Sequence, residues 1–394
     1  MSAIDHDRFC PEPRSAAPGL IGAFSALAAL WVLAVTVWLV TNSLRLASLA
    51  IVGDLIGLVL ERSSFGFAGG FRRFLAERDA SHIRAQIIMF GLMSAAAIPL
   101  VAGGEAFGLK LVGVVTPVGI AFVLGALMFG VGMQLGGGCA SGTLFGLGSG
   151  DLRLALTLAG LVGGSTLAAS HMGYWWTLPK LEAVTLWQSF DLPAALALQA
   201  ASLGAAWLAV GLFARKSASA PLRTGRWTLL QGAILLAALN VAVLLLSGQP
   251  WGEAPAFALW GSKLAAAAGV DILWWDYWSR PGFDRQIEAS IFADSVTIIT
   301  IGIVAGALGS AMQAGTFRFR FTGGLPSAIG ALLGGALMGY GARLTNGCNI
   351  GAYFSGVGTG ALSGWVWLAF ALLGSYVALK LMPRAGFGTP ASNA

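Results

Sequence analysis

Charge is scarce in this chain of 394 residues: only 10% are Asp, Glu, Lys or Arg, against roughly 25% in soluble domains. With 57% hydrophobic residues beside so few charges, the chain cannot clothe a water-facing surface, which excludes an ordinary soluble globule. Cysteine is nearly absent. Cys10, Cys139 and Cys348 are too few for a disulfide framework. The three histidines, His6, His82 and His171, lie apart from Cys139 and Cys348. Neither a zinc set nor a Cys–His catalytic pair is therefore indicated, and no metal or other cofactor is expected. The formal charge is +6, but the basic residues sit between apolar runs and form no stripe, so nucleic acid is not an expected partner.

What is there is apolar sequence in long, recurring runs. A bilayer core about 30 Å thick takes roughly 20 helical residues to cross. Ten candidate spans follow, at about 20–42, 46–61, 86–102, 117–135, 154–171, 192–213, 228–247, 291–314, 323–342 and 361–381. The expected fold is an all-α polytopic membrane protein. The basic clusters are Arg62, Arg72, Arg73, Arg78 and Arg84; Arg215, Lys216, Arg223 and Arg226; Arg318 and Arg320; and Lys380 with Arg384. The spans between them allow all four to lie on one side, which the positive-inside rule makes the cytoplasm. This predicts a multi-pass protein of the bacterial inner membrane with both termini cytoplasmic. It divides into a tail (1–19), a first transmembrane half (20–215), a basic linker (216–227), a second half (228–384) and a tail (385–394). The Trp-rich stretch 248–290 reads as an extracytoplasmic loop with an interfacial aromatic belt.

Internal repetition is the strongest pattern. Residues 117–142 can be laid on 326–351 with one offset and no gaps, matching Gly138 and Cys139 with Gly347 and Cys348, and Gly142 with Gly351. A weaker echo relates 67–73 to 313–318. One extra span in the first half makes the two units inverted copies, an architecture that recurs in transporters with a midplane site. Each unit carries a Gly-rich loop around one cysteine, poor material for continuous helix. Broken or re-entrant backbone at this depth must be buried or line a cavity. A lone membrane cysteine is commonly a packing residue; two matched copies argue for more. Helices restarting after each cysteine would offer N–H groups to an anion, with Ser141, Thr143, Asn346 and Asn349 as neutral donors. Arg343, just before the second loop, is a candidate for anion attraction.

The run from Gly347 to Gly356, followed by Gly364, Trp365, Val366 and Trp367, resembles the YeeE/YedE family of sulfur-compound transporters. Gly138 to Leu144 is similar to that family's first-half loop, and the likeness covers about residues 46 to 381. The resemblance implies thiosulfate uptake through an hourglass-shaped helical protein, its motif cysteines handing the anion along by S–H···S contacts. Those cysteines map onto Cys139 and Cys348, with Gly138, Gly142, Gly347 and Gly351 shaping the loops. A further family cysteine is replaced here by Gly66, which leaves two thiols and keeps another sulfur or selenium species open as the substrate. The expected partners are a small sulfur anion, the lipid bilayer and a cytoplasmic sulfur-carrier protein. A rival from another class is a membrane thiol–disulfide oxidoreductase pairing the two cysteines. Of the charges within spans, Asp54 suits a helix cap or a proton carrier, and Asp294 suits a helix start.

Overall fold

The computed structural model describes residues 37, 40, 43–214, 226–321 and 323–383. All but residues 37 and 40 of the expected span at 20–42, together with Cys10, both tails and most of the basic linker, lie outside the described residues. In chain order the main helices are α1 (Leu44–Ser63), the short α2 (Phe67–Arg72) with a π turn after it, and α3 (Ser81–Gly103). Next come α4 (Ile120–Leu135), α5 (Ala140–Gly148), α6 (Arg153–Ser170) and α7 (Leu192–Phe213). They are followed by α8 (Leu229–Ser247), α9 (Ala254–Ala267), α10 (Ser295–Gln313) and α11 (Leu325–Leu344). A π turn (Asn349–Phe354), one further helical turn and α12 (Leu362–Leu381) complete the described chain.

Eight segments of the described residues are long and apolar enough to cross a bilayer: α3, α4 with α5, α6, α7, α8, α10, α11 with its following turns, and α12. α1 has the length, at 20 residues, but carries Arg45, Asp54, Glu61 and Arg62. Helix ends follow local chemistry. Thr228 and Gln231 form a capping box at the head of α8, and the Asp294 carboxylate accepts the Thr297 N–H at 2.7 Å as the N-cap of α10. Each satisfies N–H groups that the first helical turn leaves free.

Glycine sets the helix packing. A Cβ at Gly57 would lie 2.1 Å from the Ile303 carbonyl oxygen, and one at Gly53 would lie 2.7 Å from that of Ile299. α1 and α10 therefore run parallel with backbones touching. The same close approach joins α6 to α11, where Gly160 faces Leu332 and Gly164 faces Ala336, again in parallel. Between α4 and α11 the pairs are Gly125 with Gly341 and Gly132 with Gly334, so these two helices are antiparallel. Small residues permit such approach where lipid tails give side chains no hydrophobic reason to associate.

The basic clusters gather at one end. Arg62 donates to Ser310 at 3.1 Å and Gln313 at 2.9 Å, Arg226 donates to the Ala314 carbonyl, and Arg320 pairs with Asp151 at 3.9 Å. At the opposite end Val112 bonds Gly248 and Leu362 bonds Val184. Two expectations need correction. The stretch 248–290 is not merely a loop with an aromatic belt: it contains α9, and Trp251 and Trp278 are fully buried, while Trp274 stays exposed. The echo of 67–73 in 313–318 has no structural counterpart, because the first is helical and packs into the core while the second is a turn at the arginine end.

Candidate substrate-binding site

The spans containing Cys139 and Cys348 both break just before the cysteine, along one backbone path. Gly137 (φ +77°) and Asn346 (φ +52°), each two residues ahead, are left-handed. The cysteines themselves are extended, at φ −80° and ψ −176° for Cys139 and φ −86° and ψ −169° for Cys348. Each cysteine carbonyl then accepts a 2.8 Å bond from the N–H four residues on, that of Thr143 or Ala352. Glycine is favoured at 137 because its φ is left-handed, and a Cβ there would also displace the Arg153 guanidinium 1.9 Å away. α4 starts at the end opposite the arginines and α11 at the arginine end. The roughly 24 and 30 Å that these helices climb set Cys139 nearer the arginine end and Cys348 nearer the other.

Cys139 is 1% exposed, Cys348 is fully buried, and both are free thiols. Their surroundings differ. The Cys139 sulfur caps α5, accepting the Gly142 N–H at 3.3 Å and meeting the Ser141 hydroxyl at 3.4 Å. Beside it is a cavity of about 20 Å³ lined by Gly66, Gly69, Arg72, Gly138 and Gly142 among others, room for about one water molecule. Gly66, where the resemblance leads one to expect a cysteine, thus adjoins the Cys139 thiol. Arg72 reaches over to donate to Gln134 at 3.2 Å. The Thr143 hydroxyl donates to the Cys139 carbonyl at 2.8 Å, so its proton is held by the loop itself.

Cys348 instead donates, to Glu253 Oε2 at 3.1 Å. Glu253 is fully buried and its Oε1 has no partner. Gly347 packs against the Ala352 backbone and Gly351 against Gly252, which holds the 250–253 segment on the second loop. Asn349 is buried with neither amide atom partnered. Asn346 is exposed and accepts from Arg343 Nη2 at 3.3 Å. Arg343 is 2% exposed and lies over the Tyr277 ring at 4.7 Å, with Nε and Nη1 unpartnered. Nearby, burial lowers the Arg280 guanidinium, Tyr277 raises it and the like charge of Arg343 lowers it again.

The π turn that follows Cys348 carries its aromatic residues into an aromatic core. Tyr353 stacks on Trp367 at 5.6 Å and 13°, and meets Phe67, Phe71 and Phe90 edge-on. Its hydroxyl bonds Gln86 at 3.3 Å. Sequence reasoning missed Glu253, Tyr353 and Gln86. The signal for Glu253 is slight: one acid of several in a Trp-rich stretch, directly after an apolar span.

A helical membrane bundle whose spans break at buried thiols, with unpartnered donors beside them, has the build of a transporter of small solutes. Residues 62–377 match the family described as sulphur transport, and the chain belongs to that YeeE/YedE family. Among its relatives is the thiosulfate transporter TsuA of Spirochaeta thermophila, 27% identical over 85% of this chain and 98% of that one. The thiosulfate transporter TsuA of Escherichia coli is 26% identical over 87% and 97%. The probable transporter YedE of Escherichia coli is 25% identical over 38% and 36%. The chain is a multi-pass membrane protein that transports a sulfur compound, and it is not an enzyme.

Proposed function

We propose that this protein takes up thiosulfate across the bacterial inner membrane, its arginine end and termini cytoplasmic, by passing the anion from Cys348 to Cys139. The observation that carries this reading is the pair of buried free thiols, one on each of two antiparallel broken spans. Arg343 and Arg280 draw the dianion to the outer mouth, and the unpartnered Asn349 amide meets it beside Cys348. Cys348 donates S–H to the terminal sulfur, Tyr353 swings off Trp367 to open the aromatic seal, and Cys139 takes the anion over with Ser141 and the Gly138 and Gly142 backbone. Arg72 then receives it on the inner side. The two broken spans act as inverted copies, each presenting its thiol toward the middle, and no net redox change occurs. A cytoplasmic sulfur-carrier protein that removes the product would keep inward movement favourable. The dianion climbs about 4–5 kcal/mol against a potential near −100 mV, at about 2.3 per charge.

Uptake of radiolabelled thiosulfate into proteoliposomes, beside sulfite, sulfate and selenite, tests the proposal. Thiosulfate should be preferred, and Cys139→Ala and Cys348→Ala should each abolish its entry; unimpaired uptake by both would sink it. A second reading, another sulfur or selenium species as the substrate, draws on Gly66 and its small cavity beside Cys139. The same comparison decides between them.

A further inference from the structure

Glu253 has no task in the hand-over just described, yet it is the group that Cys348 touches. It stands at the head of α9, completely buried, with one oxygen on the Cys348 thiol at 3.1 Å and the other on nothing. No cation reaches it among the described residues. Lys263, on α9 itself, bonds the carbonyls of Ile287 and Ala289. On the elements packed against α9, Asp294 caps α10, Arg343 turns to Asn346 and Tyr277, and His171, just past α6, bonds Tyr340. Among the described residues, the ionisable group facing the Glu253 carboxyl is the Cys348 thiol.

A carboxylate in a dry site without a cation is strongly disfavoured. A second anion arriving at the adjoining thiol makes it more so, because two negative charges in low dielectric repel across the width of one hydrogen bond. The acid form reverses the relation. It is neutral, and its O–H at Oε1 is a donor with no acceptor among the described residues, suited to an oxygen of the arriving anion. Substrate at Cys348 and a proton on Glu253 are then linked: each favours the other.

We propose that Glu253 is the proton carrier of the transport cycle, protonated from the outer solution as thiosulfate reaches Cys348 and deprotonated to the cytoplasm after the anion has passed, so that at least one proton enters with each dianion. This rests on the thiosulfate reading above. No electrons move, no covalent bond to sulfur forms, and Cys348 keeps its own proton. Each proton that accompanies the dianion raises the accumulation attainable at 100 mV on the order of 50-fold.

The test uses the full chain in proteoliposomes with the membrane potential clamped to zero, an imposed pH gradient and an entrapped pH dye. Wild type should acidify the lumen when thiosulfate is added outside. It should also concentrate thiosulfate by about tenfold per pH unit for each proton coupled. Glu253→Gln keeps the shape and an acceptor for the thiol. It should still bind thiosulfate and carry it downhill at a reduced rate, but without dye response or concentration under the gradient. Glu253→Asp should recover part of both. Thiosulfate entry by wild type without acidification, or gradient-driven concentration by Glu253→Gln, overturns the proposal while leaving the thiosulfate reading intact. Failure of wild type to take up thiosulfate under any gradient overturns both. If neither variant folds, wild-type entry without acidification still overturns the proposal.

Discussion

Replacing Cys348 by serine and by alanine should separate two properties that the wild-type residue combines. Its thiol satisfies one oxygen of a carboxyl group that has no other partner and no water-accessible surface. Alanine removes that donor and leaves Glu253 wholly unsatisfied, which costs about 1–3 kcal/mol, and the space left by the sulfur adds about 1 kcal/mol. Serine keeps a donor on the same Cβ, so most of the loss should be restored, minus a small packing defect from the shorter C–O bond. Thermal unfolding in detergent should therefore place Cys348→Ser near wild type and Cys348→Ala several degrees lower. Uptake should not follow that order. A hydroxyl lacks the soft, polarisable sulfur that matches the terminal sulfur of thiosulfate, so both variants should transport at less than a tenth of the wild-type rate, a difference of about 1.4 kcal/mol or more. Wild-type uptake by Cys348→Ser would refute the role given to sulfur. Equal stability of the two variants would refute the role given to the Glu253 bond.

Three more outcomes follow from the geometry. Gly137→Ala meets a left-handed backbone and the Arg153 guanidinium at once; it should lose about 1–3 kcal/mol and most uptake, read by melting temperature and initial rates. Gly66→Cys enters an extended position (φ −99°) facing the Cys139 cavity; it should fold and carry thiosulfate at least as fast as wild type in the same assay. Arg343→Met removes a buried charge with two unpartnered nitrogens, Nε and Nη1; KM for thiosulfate should rise about tenfold or more with little change in kcat, and Arg343→Lys should recover part, since a point charge replaces the fork. An unchanged KM in Arg343→Met would remove Arg343 from the path.

The membrane character was legible because composition and span length are properties of single segments: 57% apolar residues in runs of about 20 leave no other solvent for the chain. The helix breaks ahead of Cys139 and Cys348 were legible because glycine density is also local. Contacts made across the bundle could not be read this way. Nothing in the spacing of Glu253 and Cys348, 95 residues apart, announces a hydrogen bond. A Trp-rich stretch after an apolar span suits a membrane interface as well as a buried lining. Only the tertiary structure places Trp251 on the second loop, where its carbonyl accepts from Ser355. Likewise Thr143 reads as a free donor in sequence, but a threonine at this point of a helix turns its hydroxyl back to the carbonyl four residues earlier.

The backbone-to-backbone glycine contacts of α4, α6 and α11 bear on how the protein can move. A carrier that alternates access by rocking one bundle against another needs a sliding interface, usually a layer of side chains that can repack. Here the carbonyl of one helix meets the Cα of the next with no such layer, so sliding by even a fraction of a turn would drive backbone into backbone. In the proposed hand-over the moving parts are then side chains, Tyr353 on Trp367 among them. Under the hand-over proposed above, turnover would be set by exchange of the atoms that grip the solute and not by the swing of domains.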